Sequence, residues 1–284
     1  MRVLRDIKKM QGIAAGLKGK GKEIGFVPTM GALHEGHLSL VRKARRENDY
    51  VVVSIFVNPA QFGPKEDFKK YPRSFKKDTL LLKKQGVDFI FYPNARNIYP
   101  ADYKTFVNVE GLDSVLCGKF RPGHFRGVAT VVAKLFNIAQ PKRAYFGQKD
   151  AQQAAIIKKM VSDLNIPIQI RVLPTVREDD GLAMSSRNNY LRPAERSEAL
   201  ALSRALKLAR DLIKKGECGS SSVIRKMRRL IQQGRRVRIQ YICVVDPDKL
   251  EPVGKIKDKV LIALAVYIGK TRLIDNIVVY PRHA

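Results

Sequence analysis

Between residues 24 and 173 the hydrophobic pattern of the chain switches period several times. Short runs rich in β-branched and aromatic residues, at 24–27, 50–57, 89–92, 105–109, 143–146 and 168–173, predict strands. Between them, segments 38–48, 75–85, 127–139 and 151–164 repeat apolar residues every three or four positions and predict helices. Such alternation predicts an α/β fold, a Rossmann-like parallel sheet with helices on both faces. From Pro193 the pattern changes to two long amphipathic stretches, 194–215 and 221–233, followed by strand-like runs at 237–245 and 260–268. These predict a smaller C-terminal α+β domain. The expected division is 1–175 and 176–284.

Composition narrows the class. The chain has 284 residues, with 54 Lys and Arg against 26 Asp and Glu, giving a formal net charge of +28. The excess is spread along the chain without a basic tail, and the local clusters at 18–22, 225–229 and 235–238 read as solvated faces. Nucleic-acid binding is therefore not the expected main function, although a basic surface draws in small polyanions. No apolar run approaches the roughly 20 residues of a membrane span. The charged N-terminal segment has no apolar h-region, and Cys117, Cys218 and Cys243 are widely spaced. Both features predict a cytoplasmic protein with reduced thiols.

Candidate chemistry begins at Thr29-Met30-Gly31-Ala32-Leu33-His34-Glu35-Gly36-His37, which holds two of the four histidines. The segment lies where the first predicted strand hands over to a helix, so unpaired backbone N–H groups and the positive helix end favour an anion there. Taken alone, a histidine at a helix start is as readily a cap. The HxxH spacing lacks the geometry of a zinc site and no cysteine is near, so no metal-ligand set is expected. Ligands of parallel sheets bind at the carboxyl ends of the strands, which directs attention to the loops after Val27, Val57, Phe146 and Leu173. The second contains Asn58-Pro59-Ala60-Gln61 and a charged stretch, 64–72, of a length common to a lid or a disordered connection. The third is Gly147-Gln148-Lys149-Asp150 with Gln153 one turn on, Asp150 being a natural helix cap. The fourth runs from Pro174 to Met184-Ser185-Ser186-Arg187-Asn188, where two hydroxyls and a guanidinium suit a phosphate.

These blocks carry a resemblance. Residues 29–37 resemble the HIGH signature of the nucleotidylyltransferase superfamily, and Met184-Ser185-Ser186-Arg187 resembles its KMSKS counterpart. With Phe56-Val57-Asn58-Pro59-Ala60-Gln61-Phe62, Arg121-Pro122-Gly123-His124-Phe125-Arg126-Gly127-Val128, Phe146-Gly147-Gln148-Lys149-Asp150-Ala151-Gln152-Gln153 and Leu273-Ile274-Asp275-Asn276, the chain resembles the pantothenate synthetase (pantoate–β-alanine ligase) family over nearly its whole length.

The resemblance implies ATP-dependent condensation of (R)-pantoate with β-alanine through a pantoyl adenylate, releasing AMP and pyrophosphate. It implies that His34 and His37 donate to the ATP phosphates, His37 toward the leaving pyrophosphate, with Lys149, Arg187, Ser185 and Ser186 as further phosphate donors. Met30, Gly31, Ala32, Leu33, Glu35, Gly36, Gly147, Gln148, Asp150, Val176 and Met184 complete the ATP site. Gln61, Gln153 and Asn58 are expected to serve pantoate or β-alanine. Phe56, Leu40, Val131 and Val132 are either an apolar wall for pantoate or simply core. Magnesium is expected with the triphosphate, held mainly by phosphate oxygens and water. Asp78 lies on the helix where the family has a potential second metal, but Lys76 and Lys77 flank it and speak against one. The resemblance also implies a homodimer. Gln148 and Ala151 depart from the acidic and aromatic residues frequent at those positions, and neither departure removes a catalytic group. Competing readings are another adenylyl- or cytidylyltransferase of the superfamily and a basic nucleic-acid-binding protein on the same fold.

Overall fold

The structure is a computed structural model that describes residues 1–64 and 66–281; Lys65, inside the stretch expected to act as a lid, lies outside them. The strands are β1 (Arg2–Leu4), β2 (Ile24–Thr29), β3 (Tyr50–Ile55), β4 (Phe89–Phe91), β5 (Arg143–Gly147), β6 (Gln169–Leu173), β7 (Val237–Val245), β8 (Val260–Ile268) and β9 (Thr271–Val279). The helices are α1 (Ile7–Gly19), α2 (Glu35–Glu47), α3 (Phe75–Lys84), α4 (Ala95–Ile98), α5 (Leu116–Phe120), α6 (His124–Ala139), α7 (Ala151–Asp163), α8 (Pro193–Lys214) and α9 (Ser220–Ile231). They group into two compact units. The first comprises 1–114, 118–147 and 156–174, and the second 115–117, 148–155 and 175–284. The division thus follows no single cut in the chain.

In the first unit, six parallel strands are ordered β1-β4-β3-β2-β5-β6 among the described residues. The order reverses between β2 and β5, and such a reversal opens a crevice at the carboxyl ends of the flanking strands. Strands β2 and β3 pair Val27 with Val53 and are buried along almost their whole length, as a parallel sheet covered on both faces requires. One face packs Val27, Val51 and Val53 against Leu38, Val41 and Ala44 of α2 and Leu82 of α3. On the other, Phe26 meets Phe136 of α6 edge-on, with ring centroids 6.4 Å apart.

Three expectations need correction. Residues 105–109 are not a strand: the Val107 N–H is bonded to Thr130 Oγ1 (2.9 Å) on α6 in place of a neighbouring strand. Conversely, the charged N-terminus supplies β1 and α1, because three residues suffice to pair with β4 and only Met10 and Ala14 of α1 need be buried. The third correction concerns β9, whose reading as a strand is masked by Arg272, Asp275 and Asn276 within it.

In the second unit, β7, β8 and β9 form an antiparallel sheet. Leu264 and Val266 of β8 belong to a core with Leu202 and Leu206 of α8 and Met227 and Ile231 of α9. Burial of each such side chain contributes roughly 1.5–3 kcal/mol.

Candidate active site

The turn leaving β2 is held from three directions. Thr29 Oγ1 donates to the Ser54 carbonyl (2.7 Å) and accepts the Gly31 N–H (3.2 Å). Gly31 takes φ +85° and Ala32 φ +50°, a left-handed pair that turns the backbone sharply before α2. Asp78, on α3 and 1% exposed, accepts the Ala32 N–H on Oδ2 and the Leu33 N–H on Oδ1, each at 2.9 Å. Both carboxylate oxygens therefore serve the turn. Burial pushes the Asp78 carboxyl above its usual range, outweighing the two N–H donors and the nearby Lys77, which act the other way. A Cβ on Gly31 would lie 3.1 Å from both Asp78 Oδ2 and Ile55 Cγ2. The turn, its buttress and the strand end are thus closely fitted.

His34 caps α2. Its Nδ1 accepts the Gly36 N–H (3.2 Å), while its own N–H is directed at Nδ1 of His37 (3.4 Å), completing a reciprocal capping box. In each neutral ring, Nδ1 acts as an acceptor, so the ring proton belongs on Nε2. The two rings lie side by side, with centroids 4.1 Å apart. The cap thus fixes the tautomer of both rings. Glu35 forms an ion pair with Arg42 on the outer surface of α2, and the Leu33 side chain is buried in the core.

Beyond β3, Asn58 is 1% exposed, and its polar atoms are all used within the protein. Its Oδ1 accepts from Ala60 N (3.2 Å) and from the Tyr99 hydroxyl (2.9 Å); its Nδ2 donates to the Gly127 carbonyl and to Gln61 Oε1, both at 3.0 Å. Asn58 thus orients Gln61. With Oε1 occupied, Gln61 presents its NH₂, which lies 3.3 Å from Met30 Sδ on the turn after β2. Phe56, Leu40, Val131 and Val132 are all buried. The stretch expected to be a lid is packed through Phe62, whose ring centroid lies 5.3 Å from that of Phe68 and 6.0 Å from that of Tyr71. It is also held by the Glu66–Arg121 ion pair. Burial raises the Glu66 carboxyl, but the hydrogen bonds and charge of Arg121 bring it below the usual range.

The remaining predicted residues lie in the second unit, apart from Gly147, which ends β5. Gln148, Lys149 and Asp150 form a short 3-10 turn leading into α7, with Lys149 Nζ 3.8 Å from Asp150 Oδ2 and Gln153 in the first turn of the helix. Residues 176–184 fold back as a hairpin, the Met184 N–H bonded to the Val176 carbonyl (3.0 Å). Ser185 Oγ then caps the 3-10 helix Ser186–Tyr190 by accepting the Arg187 N–H (3.3 Å).

Strand β9 ties the two segments together. Arg177 makes a two-point ion pair with buried Asp275 (2.7 and 3.0 Å), fixing the base of the hairpin. Next to it, Asn276 Nδ2 donates to the carbonyls of Gln148 (2.9 Å) and Lys149 (2.8 Å), and its Oδ1 accepts from Gln148 Nε2 (3.1 Å). Asp275 and Asn276, residue types depleted from ordinary strands, thus direct their polar atoms to these two segments.

Sequence reasoning misses these supports. Asp78 draws attention only as a family metal position that Lys76 and Lys77 speak against, Asp275 and Asn276 carry no evident role, and Tyr99 gives no signal at all. Among the described residues, no three His, Cys, Asp or Glu side chains converge as a metal site. No helix among them is long and apolar enough to cross a membrane.

Comparison with known proteins gives concordant results. A family model described as pantoate-beta-alanine ligase matches residues 2–278. A pantothenate synthetase of Caldicellulosiruptor saccharolyticus is 58% identical over 279 residues, covering 98% of this chain and 99% of the relative. The crystal structure of pantothenate synthetase from Thermus thermophilus superposes with a TM-score of 0.94 at 44% identity, covering 99% of this chain and 100% of that one. The pantoate-beta-alanine ligase of Francisella tularensis, solved in complex with beta-gamma ATP and beta-alanine, aligns with a TM-score of 0.80 at 38% identity, covering 98% and 97%.

Proposed function

Because the chain belongs to the pantoate–β-alanine ligase family, we propose that its catalytic groups are the paired histidines of the β2–α2 turn together with Lys149, Ser185, Ser186 and Arg187. The enzyme is an ATP-dependent ligase that joins (R)-pantoate to β-alanine. A free carboxylate is a poor acyl donor, since its charge repels an amine and oxide is a poor leaving group. In the first step a pantoate carboxylate oxygen attacks the α-phosphorus of ATP, a P–O bond forms, and the bond to pyrophosphate breaks. In the second, the β-alanine amine attacks the activated carbonyl, loses a proton and expels AMP.

Positioning and charge neutralisation dominate such a reaction. Nε2–H donors of His34 and His37, at the positive end of α2, face the phosphates, and His37 stabilises the departing pyrophosphate. Lys149 and Arg187 supply cationic donors, and Ser185 and Ser186 hydroxyl donors. The backbone of 30–37, 147–150, 176 and 184 lines the nucleotide. Gln61 and Gln153 hold pantoate through neutral amides, so neither places a charge beside the attacking carboxylate. Asn58 acts through Gln61. Magnesium arrives as part of the MgATP substrate, bound by phosphate oxygens and water. Both Asp78 oxygens already accept backbone N–H groups, which makes that carboxylate a poor fit to a protein-held ion. The family resemblance further supports a homodimer, to be checked by sedimentation, and a cytoplasmic location that suits the free cysteines.

The observation that carries this assignment is the reciprocal His34–His37 cap, which sets both rings in the Nε2–H form at a helix entrance. Pantoate-dependent exchange of label between pyrophosphate and ATP, without β-alanine, tests it. The wild-type enzyme should exchange. His37→Ala and Lys149→Ala should each lower the rate roughly 10²–10³-fold, the usual scale for one transition-state donor, with far smaller changes in melting temperature. Losses in stability that match the losses in rate would assign these residues structural roles instead.

A further inference from the structure

The Arg121-Pro122-Gly123-His124 segment has no part in the chemistry above, yet it is wired to the backbone of Gln61. His124 opens α6, a helix buried along most of its length, so its ring is anchored to the core of the first unit. Nδ1 of the ring lies 2.7 Å from the Gln61 carbonyl oxygen, and Nε2 lies 2.9 Å from Arg121 Nη1. Guanidinium groups only donate, so Nε2 must accept and the ring proton belongs on Nδ1, which donates to Gln61. This tautomer is the opposite of that set for His34 and His37. Arg121 is itself fixed by a two-point pair to Glu66, from Nε (2.7 Å) and Nη2 (2.5 Å). The chain of contacts therefore runs from Glu66 through Arg121 and His124 to Gln61.

The Gln61 carbonyl also accepts from Arg121 Nη2, at 3.4 Å a longer contact than that from His124. Residues 60–64 border a cavity of about 590 Å³, shared with Phe106, Phe120 and Arg126. The turn also presses on α6 so closely that a Cβ at Gly127 would stand 2.2 Å from the Ala60 carbonyl oxygen. Asn58 fixes the side-chain amide of Gln61 and His124 fixes its carbonyl, so together they set both ends of the residue.

We infer that His124, oriented by Arg121, is a positioning residue for pantoate, acting through the main chain of Gln61. The inference rests on the assignment of Gln61 to pantoate. Its consequence is selective: pantoate binding depends on His124, whereas ATP binding does not.

The test measures pantoate-dependent pyrophosphate–ATP exchange and melting temperature for wild type, His124→Ala, His124→Asn, His124→Gln, Gln61→Ala and the His124→Ala/Gln61→Ala pair. His124→Ala should raise the pantoate KM about tenfold, the scale of one hydrogen bond lost from a partly buried carbonyl, with the ATP KM within about twofold of wild type. Asparagine places its amide nitrogen near the position of Nδ1 and should restore most of the loss; glutamine reaches toward Arg121 and should not. The double variant should match Gln61→Ala alone. Additive penalties, an equal rise in the ATP KM, or a wild-type pantoate KM in His124→Ala would overturn the inference. If His124→Ala does not fold, the contrast between asparagine and glutamine decides, and equal behaviour of the two refutes it. An unchanged pantoate KM in Gln61→Ala would remove the Gln61 assignment and the inference with it. A defect in Gln61→Ala with none in the His124 variants removes the inference alone.

Discussion

Replacing Asp78 by asparagine should damage the reaction more than the fold. The carboxylate accepts the Ala32 and Leu33 N–H groups at 2.9 Å each and so holds the left-handed turn that delivers His34 and His37. Asparagine keeps one acceptor oxygen but sets an NH₂ against the second N–H. One charge-assisted bond becomes a neutral one and the other is lost, which costs about 2–3 kcal/mol of the turn's hold as an upper bound. If the histidines follow the turn, adenylate formation falls by up to roughly 30–150-fold. Global stability is cushioned, because the same change removes a buried charge; the melting temperature should move by only a few degrees, at about 2–4 °C per kcal/mol.

The pH dependence of the comparison gives its sign. Burial raises the Asp78 carboxyl in the folded protein, so folding favours its protonated form. That contribution is complete below the unfolded value of about 3.9 and is lost as pH rises through the folded value. Asparagine cannot titrate. The melting temperature of wild type minus that of the variant should therefore be largest in acid and shrink as pH rises above the ordinary carboxylate range. Melting curves across that range and label exchange near neutrality provide the two measurements. Exchange at the wild-type rate, or a difference that grows with pH, would refute the reasoning.

Two further outcomes are expected. Gly127→Ala drives a Cβ to 2.2 Å from the Ala60 oxygen and 2.7 Å from the Gln61 nitrogen, both backbone atoms. It should cost about 1–3 kcal/mol in chemical denaturation and raise the pantoate KM. Asn276→Ala removes the bonds to the Gln148 and Lys149 carbonyls; it should destabilise by about 1–3 kcal/mol and raise the ATP KM more than the pantoate KM in initial-rate measurements.

Much of the architecture is legible without coordinates. β2, β3, β5 and β6, with the helix after β2, the helix before β4 and that at 151–163, lie within a few residues of their predicted ends, and β7 and β8 coincide with them. Period and burial class are local properties of a chain, and a parallel sheet covered on both faces needs nearly continuous apolar strands. The same reasoning fails at 105–109, because apolar character does not create a partner strand. It misses β9, because Asp275 and Asn276 answer to loops far away in sequence.

The amino-acid sequence by itself determined the alternating α/β order and the residue types at each loop, including a histidine pair at a helix entrance. It also determined the family, since six motif blocks occur in register. Tertiary structure decided which nitrogen of His34, His37 and His124 carries the proton, because that depends on donors and acceptors brought in by folding. It decided that Asp78 braces a turn 45 residues away in the chain, and that Asn58 serves Gln61. Hydrogen-bond partners at such separations leave no periodic trace in a sequence. The polar residues that hold the candidate site are therefore visible only once the chain has folded.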